Sequence, residues 1–175
     1  MTVKFKAERN ADLEFEFPKT LIWEELDVQG QPLPHNMKFV DIIIERDNDI
    51  LLVEIKDPSN VNSPEKEQKK YLKRLSNNSV LKLELTPKAR DSYLYVHLME
   101  RDTKPIKYIV LLGMDVFESN IQKGILTGFK DRLVSDIQNE GLGWKRKHIQ
   151  DCILLTVEQW NRVFDWPLTR LSAKA

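Results

Sequence analysis

Two apolar runs lie close together in this chain, each interrupted by charge, and no other feature constrains the fold as much. Phe39-Val40-Asp41-Ile42-Ile43-Ile44 and Ile50-Leu51-Leu52-Val53-Glu54-Ile55-Lys56 are rich in β-branched residues and read as strands. The turn formers Arg46-Asp47-Asn48-Asp49 separate them, so the two runs read as a hairpin. A turn over these four residues, or over the tighter pair Asp47-Asn48, pairs Glu45 with Ile50. Asp41 then falls opposite Glu54, and Phe39 opposite Lys56, with opposed Cβ atoms ~5 Å apart. Strand side chains return to the same face every second residue, which places Asp41, Glu54 and Lys56 with Phe39, Ile43 and Leu52. A turn one residue longer or shorter breaks this register.

Two opposed carboxylates on an apolar face repel each other, and burial worsens the repulsion. A divalent cation relieves it: Mg²⁺ commonly takes one or two carboxylates together with waters and substrate phosphate oxygens. Such an ion lowers the pKa of a bound water and stabilises charge developing on phosphorus. A lysine two residues further on can orient that water and neutralise the phosphate. The pattern therefore points to metal-dependent phosphodiester hydrolysis. The plain alternative is an ordinary ion cluster, or an inward charge that blunts an edge strand.

Asp41, twelve intervening residues and then Glu54-Ile55-Lys56 resemble the PD-(D/E)xK motif of the restriction-endonuclease-like nucleases. The resemblance implies that Asp41 and Glu54 bind Mg²⁺ (or Mn²⁺) with the backbone carbonyl of Ile55, and that Lys56 assists the attacking water. The motif's proline is Val40 here. Exonuclease-type members carry Gln-x-x-x-Tyr on the next helix, and this chain has Gln68-Lys69-Lys70-Tyr71, one residue short. Gln68 is in line with Leu72 and Leu75 at i, i+4 and i+7, faces the sheet, and is carried over as a supporting catalytic residue. Glu24 or Glu25 stands where many members place an N-terminal glutamate. The implied activity is cleavage of DNA. The alternative is a catalytically inactive nuclease-fold subunit, binding or assembling within a defence or repair system, and a homodimer or a protein partner is compatible with both.

The remaining pattern supports an α/β domain. Val3 to Lys6 and Leu13 to Phe17 alternate like strands, Thr20 to Asp27 reads as a short helix or strand, and Gln29 to Pro34 as a loop. The stretch from Asp57 to Pro64 is a connector rich in turn formers. A helix should follow, N-capped by Ser63 with Pro64 in its first position, burying Tyr71, Leu72 and Leu75. Residues 88–101 suggest a second helix with Tyr93, Val96, His97 and Glu100 at helical spacing, and residues 105–113 a buried strand. From Asp115 one long helical pattern runs through Phe117, Ile121, Ile125, Phe129, Leu133 and Ile137, weakened at Gly124 and Gly128 by ~1 kcal/mol each relative to Ala. A last strand over 151–155 leads into Thr156-Val157-Glu158-Gln159, a capping box, and a short helix. A hairpin followed by alternating helices and strands implies a three-layer restriction-endonuclease-like fold: one domain over 1–175, with a central mixed sheet whose antiparallel hairpin is flanked by helices.

Charge decides how such a chain could meet nucleic acid. Among 175 residues, 27 Lys and Arg balance 27 Asp and Glu, so binding by the whole surface is excluded and contacts must be local. Two local candidates exist. Lys66, Lys69, Lys70, Lys73 and Arg74 line the exposed side of the first helix, and Lys145-Arg146-Lys147 follows the flexible Gly141-Leu142-Gly143-Trp144. The helix set is equally readable as a solvated face diluted by Glu65 and Glu67, while the denser 145–147 run is the better candidate for a DNA-contacting loop, its plain alternative being an exposed loop that is basic by default. His35 and His97 read as structural, the single cysteine, Cys152, as core, and Trp160, Phe164 and Trp166 as a packing cluster. One cysteine excludes a disulfide framework. No run reaches the ~18 apolar residues of a membrane span, and the N-terminus lacks a signal-peptide apolar stretch, so the expectation is a cytoplasmic protein with no membrane partner.

Overall fold

Ile50–Lys56 (β5) is the central strand of a five-stranded mixed sheet and carries both kinds of pairing. In a computed structural model, which describes residues 1–28, 34, 36–115, 117 and 119–174, the sheet runs Ile22–Glu25 (β3), Ile42–Glu45 (β4), β5, Ile106–Leu112 (β6) and Asp151–Thr156 (β7). β3, β4 and β5 are antiparallel, while β5, β6 and β7 are parallel. The expected loop over 29–33 and His35 lie outside the described residues.

The hairpin register is the expected one, with Glu45 opposite Ile50 and Ile42 opposite Val53. The residues of 20–27 that were open between helix and strand form β3, paired antiparallel with β4. β4 starts later than expected, at Ile42 instead of Phe39, because the approach is held by a helix and not by the ladder.

β5 and β6 are apolar on both faces, as suits parallel strands covered from both sides. Ile43, Leu52, Tyr108 and Val110 point toward Glu65–Ser76 (α1), Thr86–Leu98 (α2) and Phe129–Glu140 (α4), with Leu75, Ala89, Val96, Phe129 and Leu133 in one core. Ile42, Ile44, Leu51, Val53 and Ile109 face the other way. That second face is not closed by helices alone. Thr2–Phe5 (β1), Leu13–Pro18 (β2) and Leu168–Arg170 (β8) form a separate antiparallel sheet, and with Val157–Val163 (α5) they cover it. Leu13, Phe15 and Phe17 are buried while Glu14 and Glu16 are not, so the alternating pattern of β2 supplies an apolar face that must pack on something. β8 has three residues, too short for any periodicity to show.

Three further boundaries differ from expectation. The helix expected over 88–101 spans Thr86–Leu98 and ends before Glu100, which lies at φ 57°. α1 begins at Glu65, with Pro64 as its cap and no side-chain cap, so Ser63 does not play that part. The long helical pattern after Asp115 is broken into Ser119–Leu126 (α3) and α4. Gly128 sits between them at φ 67°, a left-handed conformation that glycine adopts without steric cost, and it turns the chain rather than merely weakening one helix. A π-helical turn, Leu81–Leu85, leads directly into α2. The Thr156–Gln159 capping box forms with both reciprocal bonds. Cys152 is buried in β7, and Phe164 stacks on Trp166 with ring centroids 4.8 Å apart beside Trp160. No helix among the described residues is long and apolar enough to cross a membrane.

Candidate active site

Continuing the β4–β5 register by one residue past Ile42 and Val53 sets Asp41 opposite Glu54. The segment before β4 is fixed by α2. The Lys38 N–H donates to Asp91 Oδ2 at 2.9 Å, and the Val40 N–H donates to Ser92 Oγ at 2.9 Å. Asp41 is thereby held at the mouth of the hairpin, where its Oδ2 accepts the Ile55 N–H at 2.5 Å. The expected convergence of Asp41, Glu54 and Lys56 is present.

Glu54 has no exposed surface, although the strand around it is apolar. The Lys56 ammonium lies 2.8 Å from its Oε1. A second ammonium, that of Lys88 on α2, lies 3.0 Å from its Oε2. Among the described residues no well-directed hydrogen bond reaches either oxygen, so these two cations compensate the charge. Lys88 is also 4.0 Å from Asp41 Oδ1 and donates to Asp27 Oδ2 at 3.1 Å. Lys56 is 3.3 Å from Glu84 Oε2, and Glu84 in turn holds the Arg74 guanidinium. The site is thus a chain of alternating charge running through Asp27, Lys88, Glu54, Lys56, Glu84 and Arg74.

Burial and the neighbouring Glu54 charge push the Asp41 carboxyl up to about 7, against the opposing pull of Lys88, the Ile55 N–H and Lys56. Burial alone would lower both lysines, but Glu54, joined by Tyr71 and Glu84 at Lys56 and by Asp41 at Lys88, outweighs it and holds both above the usual lysine range. Burial raises Tyr71, whose hydroxyl is enclosed and unpartnered, so it remains a neutral phenol.

A cleft of about 280 Å³ opens on this cluster, lined by Asp41, Ile55, Lys56, Gln68 and Tyr71 among others. It lies beyond the C-terminal ends of the parallel strands, the usual place for ligands in open α/β sheets. Gln68 reaches the cleft, but its amide donates to the carbonyls of Asn60 at 2.9 Å and Ser63 at 3.1 Å. It ties down the β5–α1 connection and bonds to neither acid. Ile55 contributes its N–H to Asp41, and its side chain packs on the opposite core.

The N-terminal acid that reaches the site is neither Glu24 nor Glu25. Glu24 pairs with Arg101 at 2.9 Å, facing Ile43 across the ladder, and Glu25 is exposed opposite Ile42. Asp27 takes that place, through Lys88. Lys88 carries the clearest signal that sequence reasoning missed. Lys88, Asp91 and Ser92 recur at i, i+3 and i+4, a polar stripe on a helix that packs against the sheet.

The two basic segments part company. Lys66, Lys69, Lys70 and Lys73 are exposed on α1, with Lys69 and Lys70 paired within the helix to Glu65 and Glu67; Arg74 is turned inward onto Glu84. Lys70 and Arg74 line the cleft. Lys145, Arg146 and Lys147 are elsewhere. All three precede β7, and Arg146 and Lys147 stand beside Pro105 and Ile106, at the start of β6, whereas Lys56 pairs with Leu112 at its end. Six strand steps separate the two places, roughly 20 Å at ~3.3 Å per residue. Arg146 is engaged there by Asp102 and His97. His97, read from sequence as structural, is therefore a surface hydrogen-bonding residue and not a buried one.

A second charged cluster borders the cleft. Arg170 on β8 is buried among Asp12, Asp57 and Asp115, at 2.9, 2.8 and 2.8 Å. It joins the β1–β2, β5–α1 and β6–α3 connections. Comparison with protein-family models, with curated proteins and with solved structures finds no match for this chain.

Proposed function

We propose that the chain is a metal-dependent nuclease of the PD-(D/E)xK type, with the three-layer restriction-endonuclease-like fold, hydrolysing phosphodiester bonds of DNA. The observation that carries the reading is the convergence of two carboxylates from paired strands, Asp41 and Glu54, on one cation beneath an open cleft. Hard oxygen donors of this kind suit Mg²⁺ or Mn²⁺, and the position already holds positive charge, so the residues fit the ion. When bound, the ion supplies an acidified water and stabilises charge on phosphorus.

Asp41 and Glu54 would hold the ion, with the Ile55 carbonyl as a third donor. Lys56 orients the attacking water and offsets phosphate charge, remaining protonated because Glu54 and Glu84 sit beside it. Gln68 acts indirectly, by fixing the connection that forms one wall of the cleft. Lys66, Lys69, Lys70 and Lys73 present cations along the rim for the DNA backbone. The test is incubation of the purified chain with single- and double-stranded DNA in Mg²⁺, in Mn²⁺ and in chelator. Cleavage is expected with either metal, reduced at least 100-fold by Lys56→Ala. Absence of cleavage on every DNA with both metals sinks the enzymatic reading.

The second reading is a nuclease-fold binding or assembly subunit without activity. One observation favours it: an ammonium from the chain itself, Lys88, already lies against Glu54 and near Asp41. Calorimetry showing no divalent-ion binding, alongside intact association with a partner, would select it.

A further inference from the structure

The Lys88 ammonium faces three carboxylates of different accessibility. Glu54 is fully buried, Asp41 stands at the cleft, and the Asp27 side chain is 45% exposed. The backbone beneath Lys88 is not free to move. One and two turns further along the same helix face anchor it: Asp91 and Ser92 bond the Lys38 and Val40 amides, and Val96 is buried in the core. Only the four-carbon stem can swing, carrying a compact, rotatable cation. Its outward stop is already present as the hydrogen bond to Asp27.

We propose that Lys88 is a tethered counter-ion that competes with the metal ion for Asp41 and Glu54, with Asp27 as the acceptor that takes the ammonium when the metal enters. The inference rests on the metal-binding reading above. Without metal, Lys88 keeps the two opposed carboxylates compensated and in register. With metal, a dication and an ammonium against the same carboxylates repel each other, so the ammonium withdraws toward Asp27. Lys88 is thus a positioning residue that sets how much divalent ion the site needs, and it does so without touching substrate.

The test is Mn²⁺ binding itself, followed by the paramagnetic resonance signal of the free ion and by calorimetry, with circular dichroism to establish folding. Lys88→Met, which keeps the stem and removes the charge, should bind Mn²⁺ at least tenfold more tightly than wild type. Asp27→Asn removes the outer acceptor and should bind it several-fold more weakly. The double variant should match Lys88→Met, because Asp27 acts only through Lys88. A folded Lys88→Met with unchanged or weaker Mn²⁺ affinity, while the wild type binds, overturns the competition and leaves the metal site standing. If Lys88→Met does not fold, Asp27→Asn decides, and an unchanged affinity there overturns the proposal. Absence of Mn²⁺ binding in the wild type and in every folded variant removes the metal reading and this inference with it.

Discussion

The Lys88 ammonium stands 3.0 Å from Oε2 of Glu54, a carboxylate with no exposed surface, and Lys56 stands 2.8 Å from the other oxygen. Each charge is acceptable in the interior only because the others are there. Removing one partner of a buried ion pair leaves an uncompensated charge, which costs about 3–5 kcal/mol. Glu54→Gln should therefore lower unfolding free energy by about 3 kcal/mol in urea titrations. Glu84→Gln, at a partly exposed position that also contacts Lys56, should cost about 1 kcal/mol or less. The reverse order would show that Glu54 is not the centre of the network.

Gln68 makes its two hydrogen bonds to the carbonyls of Asn60 and Ser63, and its loss should loosen that connection. Gln68→Ala should lower stability by about 1–2 kcal/mol, from roughly 1 kcal/mol per bond. It should also raise hydrogen exchange at the Asn62 and Ser63 amides. Unchanged exchange there would mean that the connection is held by other contacts.

Arg170 neutralises a cluster in which burial raises Asp57, while hydrogen bonds from Ser172 and Arg170 outweigh burial and lower Asp12. Arg170→Met would leave three acids facing one another and should reduce stability by about 3–5 kcal/mol. Gly113 packs against the same cluster. A Cβ there would lie 2.3 Å from Asp57 Oδ1 and 2.9 Å from Arg170 Nη2. Gly113→Ala should cost about 1–3 kcal/mol as the cluster shifts. Urea midpoints of both variants check the pair, and a neutral Gly113→Ala would contradict the close packing.

Asp49 ends the hairpin turn, with Arg46 Nη2 at 2.6 Å and Lys107 Nζ at 2.7 Å. The Arg46 hydrogen bond, followed by that of Lys107, holds its carboxyl below the usual 3.8 despite burial. A depressed folded value means that the stabilisation is present above pH ~4 and is lost as pH falls through the folded value. Asp49→Asn should thus destabilise the protein at neutral pH and converge with wild type as pH falls through the depressed folded value. Stability curves that stay parallel down to pH 2 would exclude this role.

Much of the candidate site was legible in the linear chain because it depends on a short hairpin. Turn composition sets the register, and the register brings Asp41 to Glu54 with no knowledge of the rest. The capping box at Thr156 and the strands read at 13–17 and 105–113 were legible for the same reason, since cap chemistry, two-residue alternation and a short apolar run each act over a few positions. The split at Gly128 was visible only as a weakness, because a left-handed glycine and a tolerated helical glycine look alike in sequence.

What sequence alone determined was therefore local: the paired strands, the face on which three ionisable residues lie, and the charge balance that rules out whole-surface binding to nucleic acid. Tertiary structure decided which charges meet. Lys88 reaches Glu54 from 34 residues away, Asp27 reaches Lys88 across 61, and the basic loop at 145–147 is sent to the far end of the sheet. Coulomb and hydrogen-bond partners are set by distance in space, and no periodicity in the chain encodes which helix face will close over which strand end. The same holds for β8, whose three residues gain their place only by pairing with β2 and by carrying Arg170 into three carboxylates.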